Sequence, residues 1–263
     1  MSERDVTPRV QAISSRDNPL LRQLRRLVQD GGHYRRAGAL WLEGDHLCGA
    51  LRLRGLPARQ AVLTEEAWAQ PSLRDLASWA PQVAVLPAAL LAGISGLASP
   101  AAIGFLIDTP PAPALQPLAA SLVLDRVQDP GNVGSILRSA AAFGVRQVLA
   151  LQGTAALWSP KVLRAGMGAH FGLELHEGLA VSALDALTVP WVATSSHART
   201  ALPLAELPTP CAWVLGHEGQ GVSAELLARC ALQVRIPQPG GEESLNVAAA
   251  AAVCLYESAR RRR

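Results

Sequence analysis

The chain has 263 residues, 49% of them apolar, and a net charge of +3, which is enough apolar material to bury one large core or two ordinary ones and predicts a folded, soluble protein. No apolar run reaches the roughly 18 residues that span a bilayer, and the opening MSERDVTPRV lacks the apolar stretch of a signal peptide, so no membrane partner is expected and the cytoplasm is the expected location. Cys48, Cys211, Cys230 and Cys254 are widely spaced and form no C-x-x-C pair; they read as buried free thiols, with neither a zinc site nor a disulfide framework expected.

Taken in chain order, the first feature is charge. Residues 1–60 hold 11 arginines against six Asp and Glu, Lys161 is the one lysine, and the chain closes with Arg260, Arg261, Arg262 and Arg263. Arginine's planar fork bonds two phosphate oxygens at once, so the bias suits nucleic acid. A genome that writes arginine wherever lysine would serve gives the same composition. The stretch ISSRDNPLLRQLRRLVQDG predicts an Asn-Pro helix start and an arginine-studded amphipathic helix, and Arg16, Arg22, Arg25, Arg26, Arg35 and Arg36 are the candidate RNA contacts. ALWLEG, DHLCGALRLRG, RQAVLT, QVAVLP and AIGFLID then alternate strand and helix patterns, which predicts a small α/β domain over residues 1–108.

TPPAPALQPLAA is proline-rich and aperiodic, and reads as a semi-rigid linker, assigned to 109–119. Beyond it SLVLDRV, RQVLAL, VPWVATSS, PCAWVLG and QVRIP are strand patterns. Between and after them NVGSILRSAAAFG, SPKVLRAGMGAHF, SAELLARC and LNVAAAAAVCLYESARRRR are helix patterns. Strands without hydrophobic alternation belong to a parallel sheet covered on both faces, so residues 120–263 read as a second, open α/β domain. There is no internal repeat.

Three loops at the ends of these strands stand out, because open parallel sheets bind ligands at their strands' carboxyl ends. In DRVQDPGNVGSILR, Asn132 and Arg138 sit at the start of a helix. LGHEGQG carries Gly216, Gly219 and Gly221 in a G-x-x-G-x-G spacing that is neither the dinucleotide fingerprint nor a Walker loop, so ordinary nucleotide-triphosphate chemistry is not expected. IPQPGGEESLNV forces an irregular loop and places Ser244 at a helix start, where a simple N-cap is the plain reading, with Asn246 a solvated first-turn residue. His197 and His217 have no carboxylate or thiolate at ligand spacing, so structural or RNA-contact roles are expected over a metal pair. Glu242 and Glu243 read as a solvated charge pair.

Together, N-V-G-S-I-L-R at 132–138, L-G-H-E-G-Q-G at 215–221 and I-P-Q-P-G-G-E-E-S-L-N-V at 236–247 resemble the three ordered motifs of the SpoU (TrmH) family of RNA 2′-O-ribose methyltransferases. The likeness spans about residues 120–258, and TSSHARTALPLAEL resembles the family's segment before the second motif. WLEGDHLCGALRLRG resembles the small L30e-like substrate-binding domain that many members carry. The resemblance implies an α/β architecture whose C-terminal domain is a trefoil knot, with S-adenosylmethionine bound inside it, and a homodimer formed through the knotted domains. By motif position it implies Asn132, Arg138, Glu218, Ser244 and Asn246 as catalytic residues, and Leu215, Gly216, Ile236 and Leu245 as cofactor contacts held through backbone groups, with Thr194 in a neighbouring cofactor loop. Glu242 departs from the family pattern, which usually has a small apolar residue there.

Methyl transfer from a sulfonium is an in-line displacement, in which a ribose oxygen must be held about 3 Å from the methyl carbon and lose its proton. Arg138 is open to two roles, as the base or as a phosphate clamp with the proton leaving by another path. The expected substrate is 23S rRNA, with tRNA the alternative. A non-catalytic RNA-binding or ribosome-assembly protein of the same fold, and a knotted enzyme that methylates a base, are the competing readings. The intact motif residues and the Asn-x-Gly-x-x-x-Arg pattern stand against them.

Overall fold

The computed structural model describes residues 7–240 and 244–261; Glu242, Glu243, Arg262 and Arg263 lie outside the described residues. In chain order the first elements are β1 (Arg9–Ala12), α1 (Pro19–Gln29), α2 (Tyr34–Ala37), β2 (Ala39–Glu43), α3 (Asp45–Leu53), β3 (Gln60–Thr64), α4 (Glu65–Ala69), α5 (Pro71–Ala77), β4 (Gln82–Leu86), α6 (Ala88–Ala92) and β5 (Ile103–Asp108). They are followed by β6 (Ser121–Asp125), α7 (Pro130–Ala142), β7 (Gln147–Leu151), α8 (Pro160–Gly166), β8 (Glu174–Leu179), β9 (Trp191–Thr194), β10 (Thr200–Ala201), β11 (Ala212–Gly216), α9 (Ala224–Arg229), β12 (Leu232–Arg235) and α10 (Val247–Arg260). Two compact units result, residues 1–111 with 158–171, and residues 112–157 with 172–263.

The first unit is built on a mixed sheet of order β1-β4-β3-β5-β2, in which β5 runs antiparallel to both its neighbours. Asn18 caps α1 by accepting the Leu20 N–H at 2.9 Å, with Pro19 in the first turn. Leu21, Leu24 and Leu27 recur on one face of the helix and are buried, while Arg22 and Arg26 are exposed. Gly104 of β5 lies against the Trp41 indole so closely that a Cβ there would stand 2.3 Å from two ring carbons, which is why glycine occupies a strand interior here. The SPKVLRAGMGAHF segment, expected with the second domain, clusters with this unit instead, and α8 packs against β2.

The second unit holds a seven-stranded, all-parallel sheet of order β10-β12-β9-β11-β6-β7-β8. Every residue of β6, β7 and β11 is buried, as the uninterrupted apolar runs require of strands covered on both faces. From β6 the chain winds outward through β7 and β8, then returns to the other side, so β6 and β11 flank the point where strand order reverses. Their last residues, Asp125 and Gly216, are paired in the ladder, and a crevice forms outside strand ends at such a switch point. The proline-rich connection is anchored here. Gln147 accepts the Gln116 N–H at 2.7 Å and donates to the Gln116 carbonyl and the Ser121 hydroxyl.

Sequence patterns missed β1, β8, β10 and the short helices α2 and α4 to α6. All four residues of β1 are exposed, so it carries no buried face for a pattern to show. Among the described residues no helix is long and apolar enough to cross a membrane.

Candidate functional site

The loop leaving β6 ends in Asp129-Pro130, an N-cap followed by proline at the first helical position. The Asp129 carboxylate accepts the Asn132 N–H at 2.7 Å and starts α7. The loop leaving β11 is a tight turn in which His217 and Gly221 exchange backbone hydrogen bonds of 3.0 and 2.8 Å. His217 Nδ1 accepts the N–H groups of Gly219 and Gln220 at 3.0 and 3.2 Å, which makes the imidazole a structural element of the turn. Gly216 is obligatory, since a Cβ would lie 2.1 Å from the backbone of Gly221 and Val222.

This turn delivers Glu218 to the start of α7. Its carboxylate accepts the N–H groups of Gln128 and Asp129 at 3.1 and 3.0 Å and the Asn132 Nδ2 at 3.1 Å. Partial burial pushes the Glu218 carboxyl upward, but the donations from Asp129, Gln128 and Asn132 outweigh it and hold the group at about 2. Asn132 then accepts from Asn246 Nδ2 at 2.9 Å, and Asn246 Oδ1 caps α10 by accepting the N–H groups of Ala248 and Ala249. One line of hydrogen bonds, Glu218 to Asn132 to Asn246, therefore joins the three motif loops across as many as 114 residues of sequence. The helix cap is Asn246, not Ser244. Asn246 lies outside the helical backbone region, with φ of −51° and ψ of 138°, and Ser244 lies two residues before it.

Beside this line is a pocket of about 410 Å³ at the carboxyl ends of β9, β11 and β12. Of the sequence-predicted residues, Thr194, Gly216, Glu218, Ile236, Ser244 and Leu245 line it. Leu215 does not; its side chain is buried in the sheet. Asn132 and Asn246 reach the site through Glu218. Arg138 is exposed on α7, outside the pocket lining, and its side chain has no hydrogen bond or ion pair with another described residue. Among the described residues no group of three or more His, Cys, Asp and Glu side chains gathers to hold a metal ion.

In the first unit Arg16, Arg22, Arg26, Arg35 and Arg36 are exposed and Arg25 is half-buried. Arg25 donates to the Arg16 carbonyl at 3.0 Å, Arg36 pairs with Asp30 at 2.7 Å, and Arg35 lies over the Tyr34 ring.

Sequence reasoning missed Asp125, Arg126 and Gln238. Asp125 is 3% exposed; it accepts the Ser223 N–H at 2.7 Å and Arg126 Nε at 2.9 Å. Arg126, in a left-handed conformation with φ of 59°, reaches Gln220 Oε1 of the Glu218 turn at 3.2 Å. Burial pushes the Asp125 carboxyl up, and the bonds from Arg126 and Ser223 hold it below its ordinary range. A carboxylate closing the apolar run SLVLD was the available signal. Gln238 lines the pocket, and its Oε1 is buried without a hydrogen-bond partner among the described residues.

Residues 119–256 match the model of the SpoU rRNA Methylase family. An uncharacterized tRNA/rRNA methyltransferase of Synechocystis is 34% identical over 97% of this chain and 96% of its own length. The 23S rRNA (guanosine(2553)-2′-O)-methyltransferase RlmP of Bacillus subtilis is 38% identical over 51% of this chain and 56% of its own. The crystal structure of an AdoMet-bound rRNA methyltransferase from Sinorhizobium meliloti superposes with a TM-score of 0.83 at 25% identity, covering 96% of this chain and 98% of that one. With the match to the family model covering the loops that frame the pocket, and a relative alike from end to end, the chain belongs to the SpoU rRNA Methylase family.

Proposed function

We propose that the protein transfers a methyl group from S-adenosylmethionine to a ribose 2′-hydroxyl of structured RNA, with 23S rRNA as the substrate. The observation that carries this reading is the Glu218–Asn132–Asn246 line, which holds the three motif loops together beside one pocket. The rRNA choice is supported by the match to the family model and by the Bacillus subtilis relative.

The pocket fits S-adenosylmethionine. It has an apolar wall that includes Val222, Leu227, Ile236 and Val247, polar groups at Thr194 and Ser195, and a buried amide oxygen at Gln238 that awaits a donor. When bound, the cofactor supplies an electrophilic sulfonium methyl. The chain's own contribution is positioning. Asn132, fixed from both sides by Glu218 and Asn246, holds the first turn of α7 against the pocket edge. Arg138 stands six residues further on, about 9 Å along the helix, as an exposed cation suited to a phosphate of the RNA. Its side chain has no hydrogen bond or ion pair with another described residue and is open to a phosphate, which supports the clamp over the base.

The trefoil knot and the homodimer belong to the same proposal. Val253 and Tyr256 of α10 are 40% and 55% exposed, one turn apart, and Phe143 meets Tyr256 edge-on at 5.9 Å. This apolar strip supports a second copy seated along α10, and Arg138's position away from the pocket of its own chain supports a site completed between copies. The arginine face of α1 and α2 would grip folded RNA through phosphates.

The test is transfer of a labelled methyl group to unmodified ribosomal and transfer RNA in separate reactions, followed by digestion to nucleosides. The expected product is a 2′-O-methylnucleoside from 23S rRNA, reduced about a hundredfold or more in Arg138→Ala with unfolding free energy within about 0.5 kcal/mol of wild type. No product from either pool, in folded protein that binds RNA, would favour a binding-only protein.

A further inference from the structure

The pocket contains a side-chain amide whose oxygen has no hydrogen-bond partner among the described residues. Ile236 and Gln238 each precede a proline, and a residue before proline is held in extended backbone by the ring's clash with its N–H and Cβ. In extended chain, residues two apart share a face. The sequence I-P-Q-P therefore aims Ile236 and Gln238 the same way, and both line the pocket while Pro237 and Pro239 are exposed. Gln238 Oε1 is buried and has no partner among the described residues, an arrangement that is unfavourable until a ligand supplies an N–H.

The neighbourhood selects the donor. An ammonium group requires several acceptors around it, whereas Gln238 offers one amide beside the aliphatic Ile236. A flat aromatic amine suits this setting, since its ring faces pack on apolar side chains while its amino edge meets the amide. Glutamine is matched to that edge of adenine, with Oε1 accepting from the 6-amino group and Nε2 donating to a ring nitrogen.

We infer that Gln238 is a specificity residue for the adenine of the cofactor, recognising its 6-amino group through the side-chain amide. The inference rests on the reading of this pocket as the S-adenosylmethionine site. It is tested by calorimetric binding of S-adenosylhomocysteine, and of its analogue with hydrogen in place of the 6-amino group, to wild type and to Gln238→Met, which keeps the length and removes the amide. Thermal unfolding of both proteins establishes that the variant is folded. Wild type should bind the adenine compound about tenfold more tightly than the deamino analogue, and Gln238→Met should bind the two alike. A preference absent from wild type, or retained by Gln238→Met, would overturn the role of Gln238 and leave the pocket assignment standing. If neither compound binds wild type, the pocket assignment fails, and the role of Gln238 with it.

Discussion

The loops at the ends of β6 and β11 and the arginine face of α1 were both marked as functional by residue type, yet their side chains are in opposite states. At the strand ends nearly every polar group is used internally: Glu218 takes three donors, Asn132 is bonded on both sides, and Asn246 caps a helix. On α1, the Arg22 and Arg26 side chains are exposed without a described partner, and the buried residues are the leucines Leu21, Leu24 and Leu27. Polar residues that satisfy one another shape a site, whereas cations left to water are available to a partner. Arg138 belongs with the second group although it sits on α7, one and a half turns beyond Asn132. The two kinds of residue should therefore separate experimentally into those whose loss alters the fold and the chemistry together, and those whose loss alters only binding or turnover.

The largest effect falls on the first kind. Glu218→Ala strands the N–H groups of Gln128 and Asp129 and the Asn132 amide at once, and should lower methyl transfer about a hundredfold or more while reducing unfolding free energy by about 1–2 kcal/mol, less than full burial would cost because the site is partly solvated. The same contact has a pH signature. The folded carboxyl lies at about 2 against 4.5 for the free group, so its contribution is complete above about 4.5 and is lost as the pH falls from there towards about 2. In urea titrations across that window wild type should lose stability more steeply than Glu218→Gln; parallel curves would mean that the line of hydrogen bonds does not depend on the charge.

A smaller effect is expected from the arginines of α1. Arg22→Ala with Arg26→Ala should weaken RNA binding by about three- to tenfold near physiological salt and make the log–log salt dependence shallower by about 2. Unfolding free energy should stay within about 0.5 kcal/mol. An unchanged salt slope would remove this face of α1 from the RNA-binding surface.

The same contrast explains what could be read from the sequence. The parallel strands were legible because burial on both faces leaves uninterrupted apolar runs such as SLVLD and QVLAL. Asn18 and Ser159 were legible as helix starts because a cap is a local event, decided within three residues, whereas α7 starts two residues before the predicted Asn132, with Asp129 as its cap. The cap of α10 was misplaced by two residues, since Ser244 and Asn246 are both good caps and only the bond from Asn246 to Asn132 distinguishes them. Asp125 had one local sign, a carboxylate closing an apolar run, but the bond that gives it a place in the site comes from Ser223, 98 residues away; Gln238 has no local sign, and is notable only for a partner it lacks among the described residues. The excursion of residues 158–171 to the first unit is likewise a tertiary choice, since α8 has a Ser-Pro cap that would start a helix in either place.

The smallest effect tests whether the strand-end loops store strain as well as bonds. Arg126 is non-glycine at φ of 59°, a region disfavoured for a residue with a Cβ by about 1–2 kcal/mol. It is held there by the buried Asp125 carboxylate on one side and Gln220 on the other. Replacement by alanine or by glycine removes the guanidinium equally and leaves Asp125 with the Ser223 N–H alone, so both variants should be destabilised. Only glycine also removes the Cβ. Against that relief stands the greater freedom of glycine in the unfolded chain, about 0.4–1 kcal/mol. The difference leaves Arg126→Gly more stable than Arg126→Ala by roughly 0.5–1 kcal/mol, measurable by denaturant unfolding of the two variants side by side. If alanine equals or exceeds glycine, residue 126 is not strained, and its bond to Gln220 alone accounts for its position beside the pocket turn.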